Sequence, residues 1–200
     1  MKYMIASDIH GSALYCEQML GAYKREKADR LVLLGDILYH GPRNDLPEGY
    51  APKEVTVMLN AVKNELLCVR GNCDTEVDQM VLEFPIMADY CFLELPPGNR
   101  EDGEKRRNLT IFASHGHIYH PKHLPPLKSG DILLNGHTHI PACDEILDMD
   151  GNRYQYLNPG SVSIPKAGSV HSYMVFEDGA FQWKDMKGEE YMTWKIDSRF

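Results

Sequence analysis

A short apolar run that stops at a block of polar, metal-ligating residues occurs five times along this chain. Each run is typical of a buried β-strand, so each block lies where a strand gives way to a loop. Carboxylates, imidazoles and a carboxamide are side chains that hold divalent transition metals. One block arises easily by chance, whereas five in this order predict strand ends that converge on one site. The blocks are Asp8-Ile9-His10, Gly35-Asp36, Gly71-Asn72-Cys73-Asp74, Ser114-His115-Gly116-His117 and Gly136-His137-Thr138-His139.

The first half of the chain predicts an alternation of strands and helices. Apolar runs at Lys2 to Ser7, Arg30 to Leu34 and Leu66 to Val69 are the predicted strands. Ser12 is suited to cap a first helix, and Pro52 stands at the start of a second helix predicted to reach about Asn64. This order of strand, loop, helix and strand is typical of a right-handed parallel arrangement.

The second half is predicted to be mostly strand. Cys91 to Leu95 and Leu109 to Ser114 are predicted strands around a charged segment, residues 99–108, which we interpret as an exposed hairpin loop. Two later pairs of alternating strands meet at the turn signals Asp150-Gly151-Asn152 and Asp178-Gly179. No internal repeat or linker divides the sequence, which therefore predicts a single α/β domain over residues 1–200.

Charge and cysteine usage restrict the partners. The formal net charge of -8 disfavours a broad electrostatic contact with nucleic acid, so we expect no stable nucleic-acid binding. The five cysteines are scattered without a Cys-x-x-Cys pair, which is typical of a reducing compartment. The sequence shows no signal-peptide pattern, and no apolar run approaches the roughly 20 residues of a membrane span. We expect a cytoplasmic protein without membrane contact; a homo-oligomer is one open option.

The ordered series of blocks resembles the calcineurin-like metallophosphoesterase superfamily, and within it the small bacterial YfcE-type phosphodiesterases. The resemblance covers nearly the whole chain and implies an α/β fold: a β-sandwich of two mixed sheets flanked by helices. It also implies two divalent metal ions. Manganese is favoured, although oxygen and imidazole ligands also accept Fe, Zn, Ni or Co. The implied ligands of the first metal are Asp8, His10, Asp36 and His139. Those of the second are Asp36, Asn72, His115 and His137.

One block departs from the pattern of many relatives, which have a histidine where this chain has Cys73. In those relatives the histidine protonates the leaving oxygen and the following acid, here Asp74, orients it. A neutral thiol can donate a proton, although histidine suits the task better, so Cys73 is either a proton donor or an inert neighbour of the site.

The remaining candidates each have two interpretations. His117 either contacts the phosphate or a ligand, or points outward from the end of its strand. Arg43 either pairs with a phosphate oxygen or is a surface arginine in a turn. Asn158-Pro159-Gly160-Ser161 resembles another family segment, and a tight turn there is expected to support the loop that carries His137.

The resemblance and the ligand set together predict a metal-dependent phosphodiesterase. A hydroxide bridging two metals is expected to attack phosphorus in line, while Asn72, His115 and Arg43 neutralise the phosphoryl oxygens. The expected partner is a small phosphodiester with a good leaving group. The alternatives are a phosphomonoesterase or protein phosphatase, a nuclease, and a non-catalytic interaction scaffold of the same fold.

Overall fold

The computed structural model describes residues 1–95 and 108–196, which form two β-sheets and three α-helices. The strands are β1 Tyr3–Ala6, β2 Arg30–Leu33, β3 Leu66–Cys68, β4 Tyr90–Leu95, β5 Leu109–Ser114, β6 Ile132–Leu134, β7 Ala142–Leu147, β8 Arg153–Asn158, β9 Ser172–Glu177, β10 Ala180–Asp185 and β11 Glu190–Lys195. The helices are α1 Ala13–Glu26, α2 Pro52–Asn60 and α3 Glu76–Val81.

The first sheet has six strands in the order β11-β10-β9-β1-β2-β3. Strands β1, β2 and β3 are parallel, as the alternation of strands and helices predicts, while β9, β10 and β11 extend the sheet antiparallel. The second sheet has the order β4-β5-β6-β8-β7, with β5, β6 and β8 parallel and an antiparallel strand at each edge. Both sheets are therefore mixed, as the family resemblance implies.

The two sheets pack face to face through an apolar layer. Alternate residues of a strand point to opposite faces, so Ile5 of β1 packs between the sheets while its neighbour Met4 packs against the helices. In β6, Leu134 likewise faces the first sheet and Leu133 faces outward, where it packs against Tyr156. Trp183 is fully buried between the sheets. This arrangement confirms the predicted β-sandwich with flanking helices.

The helices follow their sequence signals at the start and depart from them at the end. The Ser12 hydroxyl accepts a hydrogen bond from the Tyr15 amide at 3.3 Å, so Ser12 caps α1 as predicted. Helix α2 begins at Pro52 but ends at Asn60, earlier than predicted, and a single 3-10 turn follows at Lys63–Glu65. The Asn60 side chain contacts the backbone of Val81 and Glu83, which fixes the chain direction at this point.

Two elements have no prediction from the sequence. Helix α3 has no buried side chain, so it lacks an apolar periodicity; its signal is the capping box of Thr75 and Asp78. Strand β11 is an edge strand whose residues are mostly exposed. The hairpin loop predicted for residues 99–108 lies, except for Asn108, outside the described residues. Within the described ranges, no helix is long and apolar enough to cross a membrane.

Candidate metal centre

The polar blocks meet because both sheets present the carboxyl ends of their parallel strands at one edge. The loops that follow β1 and β2 continue the strand pairing: the Asp8 amide donates to Gly35 O at 3.1 Å, and the His10 amide to Asp36 O at 2.9 Å. The Gly136 amide, after β6, donates to His115 O at 2.9 Å. These bonds join the first block to the second and the fifth to the fourth. The Cys73 amide, which donates to Asp36 Oδ1, adds the third block, and the His137 amide, which donates to Asp8 Oδ2, joins the two sheets.

The backbone at the candidate ligands is strained. Five of them have positive φ angles, a region that costs a side-chain-bearing residue roughly 1 kcal/mol each. The values are Asp8 60°, His10 49°, Asp36 56°, His137 65° and His139 61°. Strain at several side chains that share one site is the pattern of a functional centre, since folding alone does not require it.

The first cluster consists of Asp8, His10 and His139, all buried. His10 Nε2 lies 3.2 Å from His139 Nε2, and Asp8 Oδ1 lies 3.5 Å from the former and 3.3 Å from the latter. Asp8 Oδ1 has no hydrogen-bond donor among the described residues, although it is buried. The carboxylate is held in place through Oδ2, which accepts the His137 amide at 3.0 Å.

The second cluster surrounds His115 Nε2. Asn72 Oδ1 and His137 Nδ1 each lie 3.1 Å from this nitrogen, and Asp36 Oδ2 lies 3.3 Å from it. Asp36 Oδ2 is also 3.7 Å from His10 Nε2, so one carboxylate oxygen faces both clusters. The other oxygen of Asp36 accepts the Cys73 amide at 2.8 Å. Asp36 is thereby close enough to both clusters to offer a ligand atom to each.

The hydrogen-bond partners of the Nδ1 atoms determine whether the Nε2 atoms in these short contacts are donors or acceptors. The Nδ1 atoms of His10, His115 and His139 lie 2.8, 2.7 and 2.6 Å from the carbonyl oxygens of Tyr39, Leu34 and Ile164. A carbonyl accepts only, so each Nδ1 carries the proton, and Nε2 of the neutral ring is an acceptor. Acceptor lone pairs that face one another at about 3 Å repel unless a proton or a metal cation lies among them. The donor set therefore fits two divalent metals.

The carboxylates of the two clusters also attract protons, which the imidazoles can carry at the same positions. Burial raises the pKa of Asp8, but hydrogen bonding to His10 and His139 in their protonated forms outweighs it and holds that pKa well below its ordinary value. Burial lowers the pKa of His115, yet Asp36 and Asp8 raise it to about 9. For His137, burial and the neighbouring His115 lower the pKa to about 4. The carboxylates thus make the centre attractive to positive charge.

The segment Asn158-Pro159-Gly160-Ser161 supports the centre in the way that we expected. The Asn158 amide group donates to Gly136 O at 2.7 Å and so fixes the loop before His137. The hydroxyls of Ser161 and Ser163 donate to Asp8 O at 3.0 and 3.1 Å. Ser161 belongs to the family-like segment, whereas nothing in the sequence indicates the role of Ser163.

Asp74 is buried, and among the described residues its carboxylate accepts hydrogen bonds from backbone amides alone. Its carboxylate accepts the amides of Asp36 and Ile37 at 2.8 Å and the amide of Gly71 at 2.7 Å, and so it holds the loops after β2 and β3 together. Cys73 is buried beside it, with Sγ near His10 and Asp36. Burial, reinforced by Asp36, raises the pKa of the Cys73 thiol to about 12, so the thiol is protonated at neutral pH.

A cleft of about 430 Å³ opens beside the centre. Its lining includes Arg43, which is exposed, and three residues that sequence reasoning missed, Asn44, Thr138 and Lys166. His117 is half-buried beside the second cluster, with its ring centroid 5.4 Å from that of His115, and it is not part of the cleft lining. No motif marks Lys166, because its position depends on a tertiary contact with His139.

The paired clusters of metal-ligating side chains lie at the strand ends of a β-sandwich. Residues 1–178 match the calcineurin-like phosphoesterase superfamily domain, and the chain belongs to that superfamily. Among curated relatives, it is 47% identical to the phosphodiesterase YfcE of Escherichia coli strain K12 over 178 residues, which cover 89% of this chain and 88% of that protein. YfcE of Escherichia coli O157:H7 matches equally.

Solved structures give the same result. The structure of YfcE, a phosphoesterase from E. coli, superposes with a TM-score of 0.84 at 40% identity and covers 98% of this chain and 100% of that one. An archaeal phosphodiesterase superposes with a TM-score of 0.56 at 18% identity, over 96% and 98% of the two chains; this second likeness shows the fold alone. The predicted membership of the superfamily is confirmed.

Proposed function

We propose that this protein is a metal-dependent phosphodiesterase that hydrolyses small phosphodiesters. The observation that carries the proposal is the pair of ligand clusters that share Asp36, because nitrogen and oxygen lone pairs that converge at about 3 Å need positive charge among them, which divalent metals supply. The 47% identity to a phosphodiesterase across most of both chains supports the same activity. We also propose that the domain spans residues 1–200, beyond the matched residues 1–178.

The candidate residues receive different roles according to their positions in the two clusters and in the cleft. Asp8, His10 and His139 would hold one metal, and Asn72, His115 and His137 a second, with Asp36 shared by both. A bound pair of divalent ions supplies Lewis acidity and a water molecule of lowered pKa. We assign the orientation of the phosphoryl group to Asn72, which lines the cleft, and pairing with its oxygens to Arg43, on the rim; His115 is buried outside the cleft lining and would act there only as a ligand.

The three remaining candidates receive more limited roles. We assign to Cys73, which lines the cleft, the protonation of a leaving oxygen, for which its raised pKa makes it a weak acid; the alternative is an inert neighbour of the site. We assign Asp74 a positioning role, because both of its oxygens accept backbone amides. His117 is proposed to orient the neighbouring His115 rather than to contact substrate, since it lies outside the cleft lining.

The metal, the cellular location and the partners are proposed from ligand types, cysteine usage and net charge. We propose manganese as the working metal, because oxygen and imidazole ligands suit it, although Fe, Zn, Ni and Co fit the same donors. A cytoplasmic location is supported by the five cysteines, none of which forms a disulfide. The acidic net charge argues against stable nucleic-acid binding. A homo-oligomer stays an open prediction.

Two alternatives compete with this function. A phosphomonoesterase would use the same metal pair; the absence of a histidine at Cys73 disfavours it, since poor leaving groups need a stronger acid. A non-catalytic scaffold would keep the fold without the chemistry. The complete set of converging ligands disfavours a scaffold, because nothing maintains strained metal-binding side chains in a protein that does not use them.

The test compares a nitrophenyl diester with the matching monoester on protein loaded with Mn²⁺, together with metal analysis. We expect two metal ions per chain and hydrolysis of the diester in clear preference to the monoester. Preference for the monoester would establish the phosphomonoesterase instead. Two bound metals with neither substrate hydrolysed would favour the scaffold, and fewer than two metals would refute the binuclear centre itself.

A further inference from the structure

The cleft beside the metal centre has two walls that carry positive charge. One wall is the loop after β2, with Arg43; the other contains Lys166, close to His139. The volume of about 430 Å³ falls within the range of sites for small molecules. It exceeds the space that a simple dialkyl phosphate fills, so the cleft has room for a larger group on the substrate.

Lys166 is fixed at the cleft by its backbone. Its amide donates to His139 O at 3.1 Å, which ties it to the loop that carries a metal ligand. A tight turn follows, because Ala167 and Gly168 have φ angles of 54° and 74°. The Ser169 hydroxyl and amide then donate to Lys166 O at 2.7 and 3.0 Å, which closes the turn. The chain therefore presents this side chain at the cleft from a defined position.

Within the part of the chain that the structure describes, the charge of Lys166 has no carboxylate partner. Across residues 1–95 and 108–196, neither Lys166 nor Arg43 forms an ion pair with a carboxylate. The protein has eight more acidic than basic residues, so acidic partners are plentiful elsewhere on its surface. Asp36, the carboxylate that lines the cleft, and Asp8, beside His139, are both assigned to the metal ligand set. A lysine held at this position without a carboxylate partner is suited to an anion of the ligand.

We propose that Lys166 is a specificity-determining residue, which binds a second anionic group of the substrate on the His139 side of the cleft. The preferred substrates are then small phosphodiesters that carry a further carboxylate or phosphate beyond the scissile phosphodiester. This inference rests on the proposed function, because it describes what the same site selects. Lys166 and Arg43 divide the recognition: Arg43 contacts the scissile phosphoryl group, and Lys166 contacts the distant anion.

The experiment uses two diesters with one leaving group, 4-nitrophenyl ethyl phosphate and 4-nitrophenyl 2-carboxyethyl phosphate. They differ only in the added carboxylate. With Mn²⁺-loaded wild-type protein we expect KM for the carboxylate ester to be about tenfold lower at similar kcat. Lys166→Met should remove this difference, and Lys166→Arg should retain most of it. The matched control is Lys187→Met, at an exposed lysine far along the chain from the cleft lining, which should behave as wild type.

Three results would overturn the proposal. The first is a wild-type protein with the same KM for both esters. The second is a Lys166→Met variant in which KM rises equally for both esters. The third is a Lys187→Met variant that loses the preference for the carboxylate ester as well. Thermal unfolding of each variant shows whether it is folded. If Lys166→Met is misfolded, Lys166→Gln replaces it with a side chain that keeps polarity and loses charge.

A binding measurement separates this proposal from the proposed function. Calorimetry with ethyl methylphosphonate and 2-carboxyethyl methylphosphonate reports recognition without hydrolysis. If metal-loaded protein hydrolyses neither nitrophenyl ester, the phosphodiesterase proposal fails. The role of Lys166 in anion recognition then stands if the carboxylate analogue binds more tightly and Lys166→Met abolishes the difference. It falls if both analogues bind alike.

Discussion

Three imidazoles of the metal centre are each oriented by a backbone carbonyl. The Nδ1–H groups of His10, His115 and His139 donate to carbonyls, which leaves their Nε2 atoms to face the metal positions. His137 differs, because its Nδ1 is the nitrogen that points at His115 Nε2. Orientation by a neighbouring acceptor fixes the tautomer before a metal binds and lowers the entropic cost of assembling the site.

Asp36 is the residue on which both metal positions depend. We expect Asp36→Asn to lower the metal content from two ions per chain and to abolish diester hydrolysis, because a neutral amide replaces the carboxylate that faces both clusters. Metal analysis after dialysis and an activity assay measure this. Asp45→Asn, in the exposed loop nearby, is the control and should match wild type. Full activity with two metals in Asp36→Asn would contradict the shared-ligand assignment.

In the proposed function, Cys73 limits which leaving groups the centre can expel. Because its pKa is raised to about 12 by burial and by Asp36, the thiol gives up its proton poorly. We expect Cys73→His to accelerate hydrolysis of diesters with alkyl leaving groups by about tenfold or more, and to change nitrophenyl diesters little. Rates for a series of leaving groups measure this. An unchanged series would contradict the assignment, and Cys73→Ala shows whether the thiol itself contributes as a donor or is inert.

At the scale of elements, the loops after β2 and β3 touch at Gly71. A Cβ on Gly71 would lie 2.1 Å from Asp36 Oδ1 and 2.3 Å from Asp36 N, so only glycine fits. We expect Gly71→Ala to reduce the free energy of unfolding by about 1–3 kcal/mol and to weaken metal binding, since Asp36 must move. Urea unfolding and metal titration measure these effects.

Helix α1 offers a matched control for that substitution. An added Cβ at Gly21 meets no atom within 4 Å, and Gly21 lies inside the helix. Gly21→Ala should therefore raise the free energy of unfolding by about 0.5–1 kcal/mol. A Gly71→Ala protein that is as stable as wild type and binds metal normally would show that the loops can separate without cost.

The end of α1 is attached to the first sheet by Glu26. Its carboxylate accepts Lys184 Nζ at 3.0 Å and Tyr173 Oη at 2.9 Å, and Lys2 Nζ lies 3.3 Å away. Burial raises the pKa of Glu26, but hydrogen bonds from Lys184 and Tyr173 outweigh it, so the pKa is lowered. A group with a lowered folded-state pKa stabilises the fold fully above its unfolded value of about 4.3. That contribution declines as pH falls through the folded-state pKa.

We therefore expect Glu26→Gln to reduce the free energy of unfolding by about 1–3 kcal/mol at pH 7, and the difference from wild type to shrink on acidification below about pH 4. Urea unfolding at several pH values measures it. Glu177→Gln is the control: Glu177 pairs with Lys2 at 3.0 Å, but its side chain is 49% exposed, so its loss should cost less than about 1 kcal/mol. A Glu26 effect that does not change with pH would contradict the charge-based explanation.

At the scale of the molecule, the metal centre joins the two sheets. Asp8, Asp36 and Asn72 follow strands of the six-stranded sheet, whereas His115 and His137 follow strands of the five-stranded sheet. The apolar layer between the sheets therefore sets the distance between ligands. Metal affinity should depend on this layer even at residues that do not contact the site.

Neighbouring leucines of β6 test this dependence. Leu134 and Leu133 are both fully buried, but Leu134 packs between the sheets and Leu133 on the outer face. Each Leu→Ala change should cost about 2–5 kcal/mol of stability. Only Leu134→Ala should also weaken metal affinity, because the sheets relax toward the cavity. Metal titration with unfolding measurements distinguishes the two, and equal effects on affinity would contradict the coupling.

The sequence alone predicted the strands of the parallel half, the cap at Ser12 and the blocks that the fold brings together. These features are local: apolar runs and terminal polar residues depend on neighbours in the chain. Helix α3 escaped prediction because it buries no side chain, and β11 because its residues are mostly exposed at an edge. The β-sandwich layering came from the family resemblance, since periodicity does not specify which sheet a strand joins.

Tertiary structure decided what each polar residue does. Only contacts between distant residues assign Asp74 to the backbone amides of Asp36, Ile37 and Gly71 and place Lys166 beside His139. The same is true of the carbonyl partners of the three imidazoles. Residue type determines which atoms can bind a metal or an anion, but orientation and burial arise from packing across the two sheets. The sequence therefore determined which chemistry the side chains can perform, and only the tertiary structure determined how these side chains are arranged.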